Sequence, residues 1–105
     1  MSKSTPTYPL TRVQDLVMLG RRLITGRAGR DAWELFNFDE TDIEECVQQL
    51  STSDFDKSDP SETVPGLWHD VYKPTYLGTM IYVKVQIIDM HAPKEQAVII
   101  SFHRP

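Results

Sequence analysis

Residues 79–88, TMIYVKVQII, alternate side chains with a period of two: Ile81, Val83, Val85 and Ile87 against Met80, Tyr82, Lys84 and Gln86. Only an extended strand puts such a series on two clean faces, so this segment must be a strand with one face buried. A second alternation follows in QAVIISFH (96–103), with Val98, Ile100 and Phe102 set against Ile99, Ser101 and His103. The intervening MHAPKE, with Pro93, reads as a hairpin turn, and His91 within it as a surface histidine. Upstream, LWHDVYKP (67–74) predicts a third strand ending at Pro74, because the residue before proline prefers extended geometry.

The first half of the chain has the helical period instead. Leu10, Val13, Leu16 and Val17 form one apolar stripe, with Thr11 as the expected N-cap and Gly20 as the terminator. A short extended piece is expected around Leu23 to Thr25, then a helix from about Arg27 to Phe36. A third helix, capped by Asp39, carries Ile43, Cys46, Val47 and Leu50 on one face, with Cys46 a small core residue. DKSDPSETVPG (56–66) reads as a loop, and Trp33 and Trp68 as core anchors. Helices first and antiparallel strands afterwards define an α+β class: N-terminal helices packed on a mainly antiparallel C-terminal β-sheet, in a single domain over 1–105.

Several classes of function are disfavoured. A single cysteine excludes an internal disulfide framework and any multi-cysteine zinc site. No apolar run approaches the roughly 18 residues that cross a bilayer, and MSKSTPTYPL lacks the apolar core of a signal peptide, so a cytoplasmic location is expected. The net charge of −4 argues, alone, against nucleic acid. Its distribution does not: residues 1–30 carry six basic groups against Asp15, whereas residues 31–62 carry eleven acids against Lys57. No helix-turn-helix with a basic recognition helix is visible, which weakens a DNA-binding regulator acting alone.

No P-loop, HExxH, GxSxG or CxxC occurs, and His69, His91 and His103 lack metal-ligand spacing, so neither metal nor cofactor is expected. Tyr82 and Lys84, at i and i+2, share a sheet face; His103 ends a neighbouring strand and His69 lies on a third. A strand entered through SDFDK would put Phe55 and Lys57 on one face, Phe55 towards the core. A face of Lys, Tyr and His suits RNA cleavage: a base takes the 2′-OH proton, a cation stabilises charge on the phosphate, and an acid protonates the leaving 5′-oxygen. Each residue also has a plain reading. Lys57 is a solvated lysine among Asp54, Asp56 and Asp59, Tyr82 an amphipathic strand residue, His69 a surface histidine, and His103 a near-terminal side chain. Pattern alone stops at an α+β domain.

LSTSDFDKS (50–58), WHDVYKP (68–74), GTMIYVKVQII (78–88) and VIISFH (98–103), with a looser match through STPTYPLTRVQDLVMLGRRLIT (4–25), resemble the MqsR family of bacterial type II toxins. The resemblance implies a RelE-like fold and an mRNA interferase that cuts at short sequences. It implies catalytic roles for Lys57 and Tyr82, which match the family's lysine after SDF and its strand tyrosine. His69 stands where the family has glutamine and His103 where it has a C-terminal lysine, and both suit acid–base duty near neutral pH. Lys73 replaces a family arginine, and with Lys84 and the arginines of residues 12–30, Arg12 first among them, would track the RNA backbone. An MqsA-like antitoxin, with a zinc-binding and a DNA-binding domain, is the implied partner, so DNA would be met only through the complex. Asp56 and Asp59 replace an aromatic and a methionine. Unpaired, at roughly 6 Å from a phosphate and an effective dielectric near 20, each would cost on the order of 2–3 kcal/mol. The alternative is therefore a diverged toxin fold that has lost its chemistry and kept its antitoxin as a binding module.

Overall fold

The computed structural model describes residues 1–89 and 94–105, so the expected turn of 90–95 and His91 lie outside the described residues except at Lys94 and Glu95. Helix α1 (Leu10–Met18) buries Val13, Leu16 and Val17, as the stripe requires. Its N-cap is Pro9 and not Thr11, two residues earlier, because the Pro9 carbonyl accepts from the amides of Arg12 and Val13. Gly20, at φ +77°, closes it: the Gly20 amide donates to Val17 and the Arg21 amide to Leu16, the paired bonds of a Schellman turn.

Strand β1 (Arg22–Ile24) leads into α2 (Gly26–Phe36), whose N-cap Thr25 accepts from the Ala28 amide. Helix α2 touches the sheet through small residues, Ala28 and Ala32. Trp33, next along, is therefore rotated about 100° away and is 57% exposed, so it is no core anchor. Trp68 is half-buried beneath the Lys3 ammonium, 4.3 Å from its ring centre. Helix α3 (Glu40–Gln48) opens on a reciprocal Asp39–Asp42 capping box and buries Ile43, Cys46 and Val47. Burial pushes the Cys46 thiol up to about 12, which fits a packed and unreactive side chain.

After a 3₁₀ turn (Thr52–Asp54) come β2 (Phe55–Pro60), β3 (Trp68–Tyr72), the short β4 (Thr75–Tyr76) and β5 (Thr79–Met80), β6 (Tyr82–Asp89) and β7 (Glu95–His103). The main sheet has the order β1-β7-β6-β3-β2, with β1 parallel to β7 and the other pairs antiparallel. The helices cover one face, where Phe36, Phe38, Tyr76 and Phe102 interlock edge-on and stacked. No helix among the described residues is long and apolar enough to cross a membrane.

Four further expectations need correction. Residues 56–60 are strand and not loop, because they pair with β3 as far as Pro60↔Trp68; a proline fits the end of an outer strand. The alternation of 79–88 is interrupted at Ile81. Thr79 and Met80 fold back on Thr75 and Tyr76 across a Leu77–Gly78 turn with positive φ at both residues. A bulge between Phe55 and Lys57 puts them opposite Tyr72 and Val71, hence on opposite faces and not on one. A second bulge at Ile100 puts Ile99 opposite Val85 and Ser101 opposite Lys84. Ile99 thus joins the core with Phe102, while Ser101 and His103 face outward.

The outer edge of β2 is closed by the N-terminal segment. Lys3 and Ser58 exchange both backbone hydrogen bonds, at 2.8 and 2.9 Å. Beneath them Asp70 is fully buried and accepts from the Thr7 amide (3.0 Å to each oxygen) and the Tyr8 amide (2.9 Å). The Thr7 and Ser58 hydroxyls meet at 2.8 Å, and the Tyr8 hydroxyl donates to the Trp68 carbonyl at 2.7 Å. Asp70→Ala removes the acceptor for two amides in the interior. It is expected to lower unfolding free energy by about 3 kcal/mol, read as a lower urea midpoint at unchanged slope.

Candidate active site

The face opposite the helices carries the polar side chains in cross-strand rows. Lys57, Val71, Lys84 and Ser101 stand opposite one another in one row. Two residues towards one end, about 7 Å along the strands, Tyr82 pairs with His103. Two residues towards the other end, Asp59 pairs with His69, which sits beside Gln86. Lys57, Asp59, His69 and Lys84 line one groove of about 870 Å³, together with Arg27 and Ile100.

The register explains this gathering. Without the bulge at Asp56, Lys57 would follow Phe55 towards the helices; the extra residue turns it to the open face. The second bulge does the same for Ser101 and His103. Tyr82 and His103 stack with ring centres 4.5 Å apart and an interplanar angle of 11°, and the Lys84 ammonium lies 5.9 Å from the tyrosine ring centre. The His103 Nδ1 is 2.7 Å from the Arg104 carbonyl, so that nitrogen carries a proton and Nε2 is left for exchange.

Burial pushes the His69 imidazole below its usual range, and the nearby Lys84 charge pushes the same way. Gln86, Asp59 and Asp70 pull it back up. The Gln86 Oε1 is the one buried side-chain oxygen without a hydrogen-bond partner among the described residues; a proton on His69 would give it one. Hydrogen bonding to Asp59 raises the Lys57 ammonium above its ordinary value, so it stays cationic. Asp59 is lowered by the hydrogen bond from the Ser2 hydroxyl and then by Lys57.

Both unusual aspartates are thus ion-paired. Asp59 holds the Lys57 ammonium at 3.4 Å, and Asp56 holds that of Lys73 at 3.4 Å. Lys73 lies just beyond β3 at the Tyr82 end and does not line the groove. Arg12 is not in the cluster either: it is on α1, ion-paired with Glu95 at the start of β7.

Lys57, His69, Tyr82, Lys84 and His103 thus come from the SDFDK, WHDVYKP, YVK and SFH segments and meet on one face of the sheet. A family described as "Motility quorum-sensing regulator, toxin of MqsA" matches residues 5–104. This chain belongs to the MqsR toxin family. Over 88 residues it is 34% identical to the mRNA interferase toxin MqsR of Escherichia coli (strain K12), a match spanning 84% of this chain and 89% of that protein.

Within this MqsR-family chain, the aspartate of WHDVY is a structural acceptor, and the tryptophan carbonyl beside it receives Tyr8. The sequence marked Arg27 only as one of the arginines of residues 12–30, and did not mark Gln86 or Ser2 as site residues. Arg27 is two elements away from the motifs, and Ser2 reaches Asp59 only because the N-terminal segment pairs with β2. Gln86 was readable as a same-face neighbour of Lys84, but not as a partner of His69. In an NMR pH titration, His69 should show a midpoint below 6.5. Lys84→Ala should raise that midpoint, because it removes a like charge while leaving burial in place.

Proposed function

We infer that this chain is an mRNA interferase, an endoribonuclease toxin that cuts mRNA by attack of the 2′-oxygen on the adjacent phosphate. The observation that carries the reading is the cationic row of Lys57 and Lys84 flanked by His69 on one side and Tyr82–His103 on the other. His69, kept neutral by burial and Lys84, is the base for the 2′-OH proton. As the O2′–P bond forms, Lys57 and Lys84 stabilise the added negative charge. His103 donates a proton through Nε2 as the P–O5′ bond breaks, leaving a 2′,3′-cyclic phosphate and a free 5′-OH. Tyr82 holds the His103 ring by stacking and offers its hydroxyl to the phosphate. The RNA supplies its own nucleophile, so this route needs no metal or cofactor. The family description, toxin of MqsA, supports an MqsA-like antitoxin as partner. DNA would then be engaged only through that complex.

A second reading is favoured by one feature, the Lys57–Asp59 and Lys73–Asp56 pairs, which neutralise two cations of the family site. In it the fold retains its antitoxin and has lost its chemistry.

Purified protein and a mixed-sequence RNA separate the two. Cleavage with 2′,3′-cyclic phosphate and 5′-OH ends is expected, with kcat lowered about 10²-fold in Lys57→Ala. Tyr82→Phe should be slower by a smaller factor. The wild-type rate should fall as pH drops through a value below 6.5, where His69 becomes protonated and ceases to be a base. Wild-type protein that is folded, binds its antitoxin and leaves RNA intact would establish the second reading. Undiminished cleavage in both variants would remove Lys57 and Tyr82 from the mechanism.

A further inference from the structure

The groove has cations on two sides, and they are not equally available. Lys57, on the β2 side, is already paired with Asp59. Elsewhere Lys73 is paired with Asp56, Arg12 with Glu95, and Arg22 with Glu40 and Glu44. Two groove side chains, Lys84 and Arg27 from the first turn of α2, are in no ion pair with a carboxylate among the described residues, although Asp59 lies near enough to Lys84 to feel its charge. The Arg27 side chain is exposed and makes no hydrogen bond, ion pair or ring contact with any described residue.

Arg27 is placed there by the fold. The Thr25 amide donates to the Ile99 carbonyl at 3.1 Å, and its hydroxyl donates to the Ile100 carbonyl at 2.9 Å. Ile100 is the bulged residue of β7, directly before Ser101, the cross-strand neighbour of Lys84. The start of α2 is therefore pinned at two points to the strand beside Lys84, and Arg27, two residues on, reaches the groove that Lys84 also lines. A guanidinium held this way, with its donors unspent, has no evident role in packing and is well suited to a phosphate.

We propose that Arg27, beside Lys84, forms a phosphate-binding wall of the groove, gripping the RNA backbone next to the phosphate that Lys84 and Lys57 attend. The inference rests on the nuclease reading above. It gives the chain a substrate-binding residue outside the SDF, WHDVY and YVK segments. It also supplies positive charge where Asp59 has taken up that of Lys57. The occupant is a single-stranded RNA backbone, since the groove offers cationic donors from two sides, at Arg27 and at Lys84.

The test is fluorescence anisotropy with a fully 2′-O-methylated, single-stranded RNA decamer, which cannot supply the nucleophile, read over a salt series. Relative to wild type, Arg27→Ala should bind about threefold to tenfold more weakly, and its slope of log K against log salt should be shallower by about 0.7, one phosphate contact on a single strand. Arg27→Lys should recover most of the slope, and Arg27→Glu should bind more weakly still. Arg30→Ala, one helical turn away and outside the groove, should behave as wild type. On cleavable RNA, Arg27→Ala should raise KM and leave kcat nearly unchanged. If Arg27→Ala matches Arg30→Ala in slope and KM while wild type cleaves RNA, the inference fails and the nuclease reading stands. If wild type neither binds nor cleaves RNA, both fall together.

Discussion

The buried carboxylate of Asp70 is the interaction on which the rest of the architecture leans. It accepts from the amides of Thr7 and Tyr8, a segment with no sheet of its own at that point. That contact brings residues 1–9 across the edge of β2, where Lys3 pairs with Ser58, and it fixes the direction from which the chain enters α1. An acid in an interior is tolerated only when its oxygens are occupied, and here backbone donors occupy them. The same contact closes a sheet edge that would otherwise offer free amides and carbonyls to other chains. Ser2 can reach Asp59 in the groove only because this lacing is in place.

The sequence was most legible where the constraint is local and repeated. Ile81, Val83 and Val85 are all buried, as their spacing demands, and the stripes of α1 and α3 lie on the core. Asp39 caps its helix and Gly20 ends α1 because each residue type solves a backbone problem that neighbours of other types do not. Legibility failed where a single residue falls outside a period. Nothing local distinguishes Asp56 or Ile100 as the residue that is skipped in pairing; the partner strand decides it. Trp33 failed for a related reason. Its hydrophobicity suggested the interior, but the helix needed close contact with the sheet, and alanines at 28 and 32 provide it.

The candidate site was half legible. His69, Tyr82, Lys84 and His103 meet on one face, as alternation within strands suggested, whereas Lys57 joins them only through the bulge at Asp56. What could not be read was how charge is shared among them. Asp56 and Asp59 looked like a burden on any phosphate-binding surface, yet each has a lysine partner within 3.4 Å. Their effect is to redistribute positive potential within the groove, since a lysine bonded to its own carboxylate answers a phosphate less freely than one that is not. Arg12 and Arg27 show the same point from the other direction. They are alike in sequence, but one is tied to Glu95 and the other is unengaged.

The two bulges act on the chain as phase shifters. On either side of each, the strand obeys the same two-residue rhythm, but inside and outside exchange places across it. One residue lost at position 56 or 100 would leave composition, helices and most apolar residues in place, and would turn the side chains on one side of it to the opposite face. Lys57 lies immediately after one such point and Ser101 immediately after the other. A lineage of this fold can therefore gain or lose its polar face through the length of a strand, with no change to any residue that face displays.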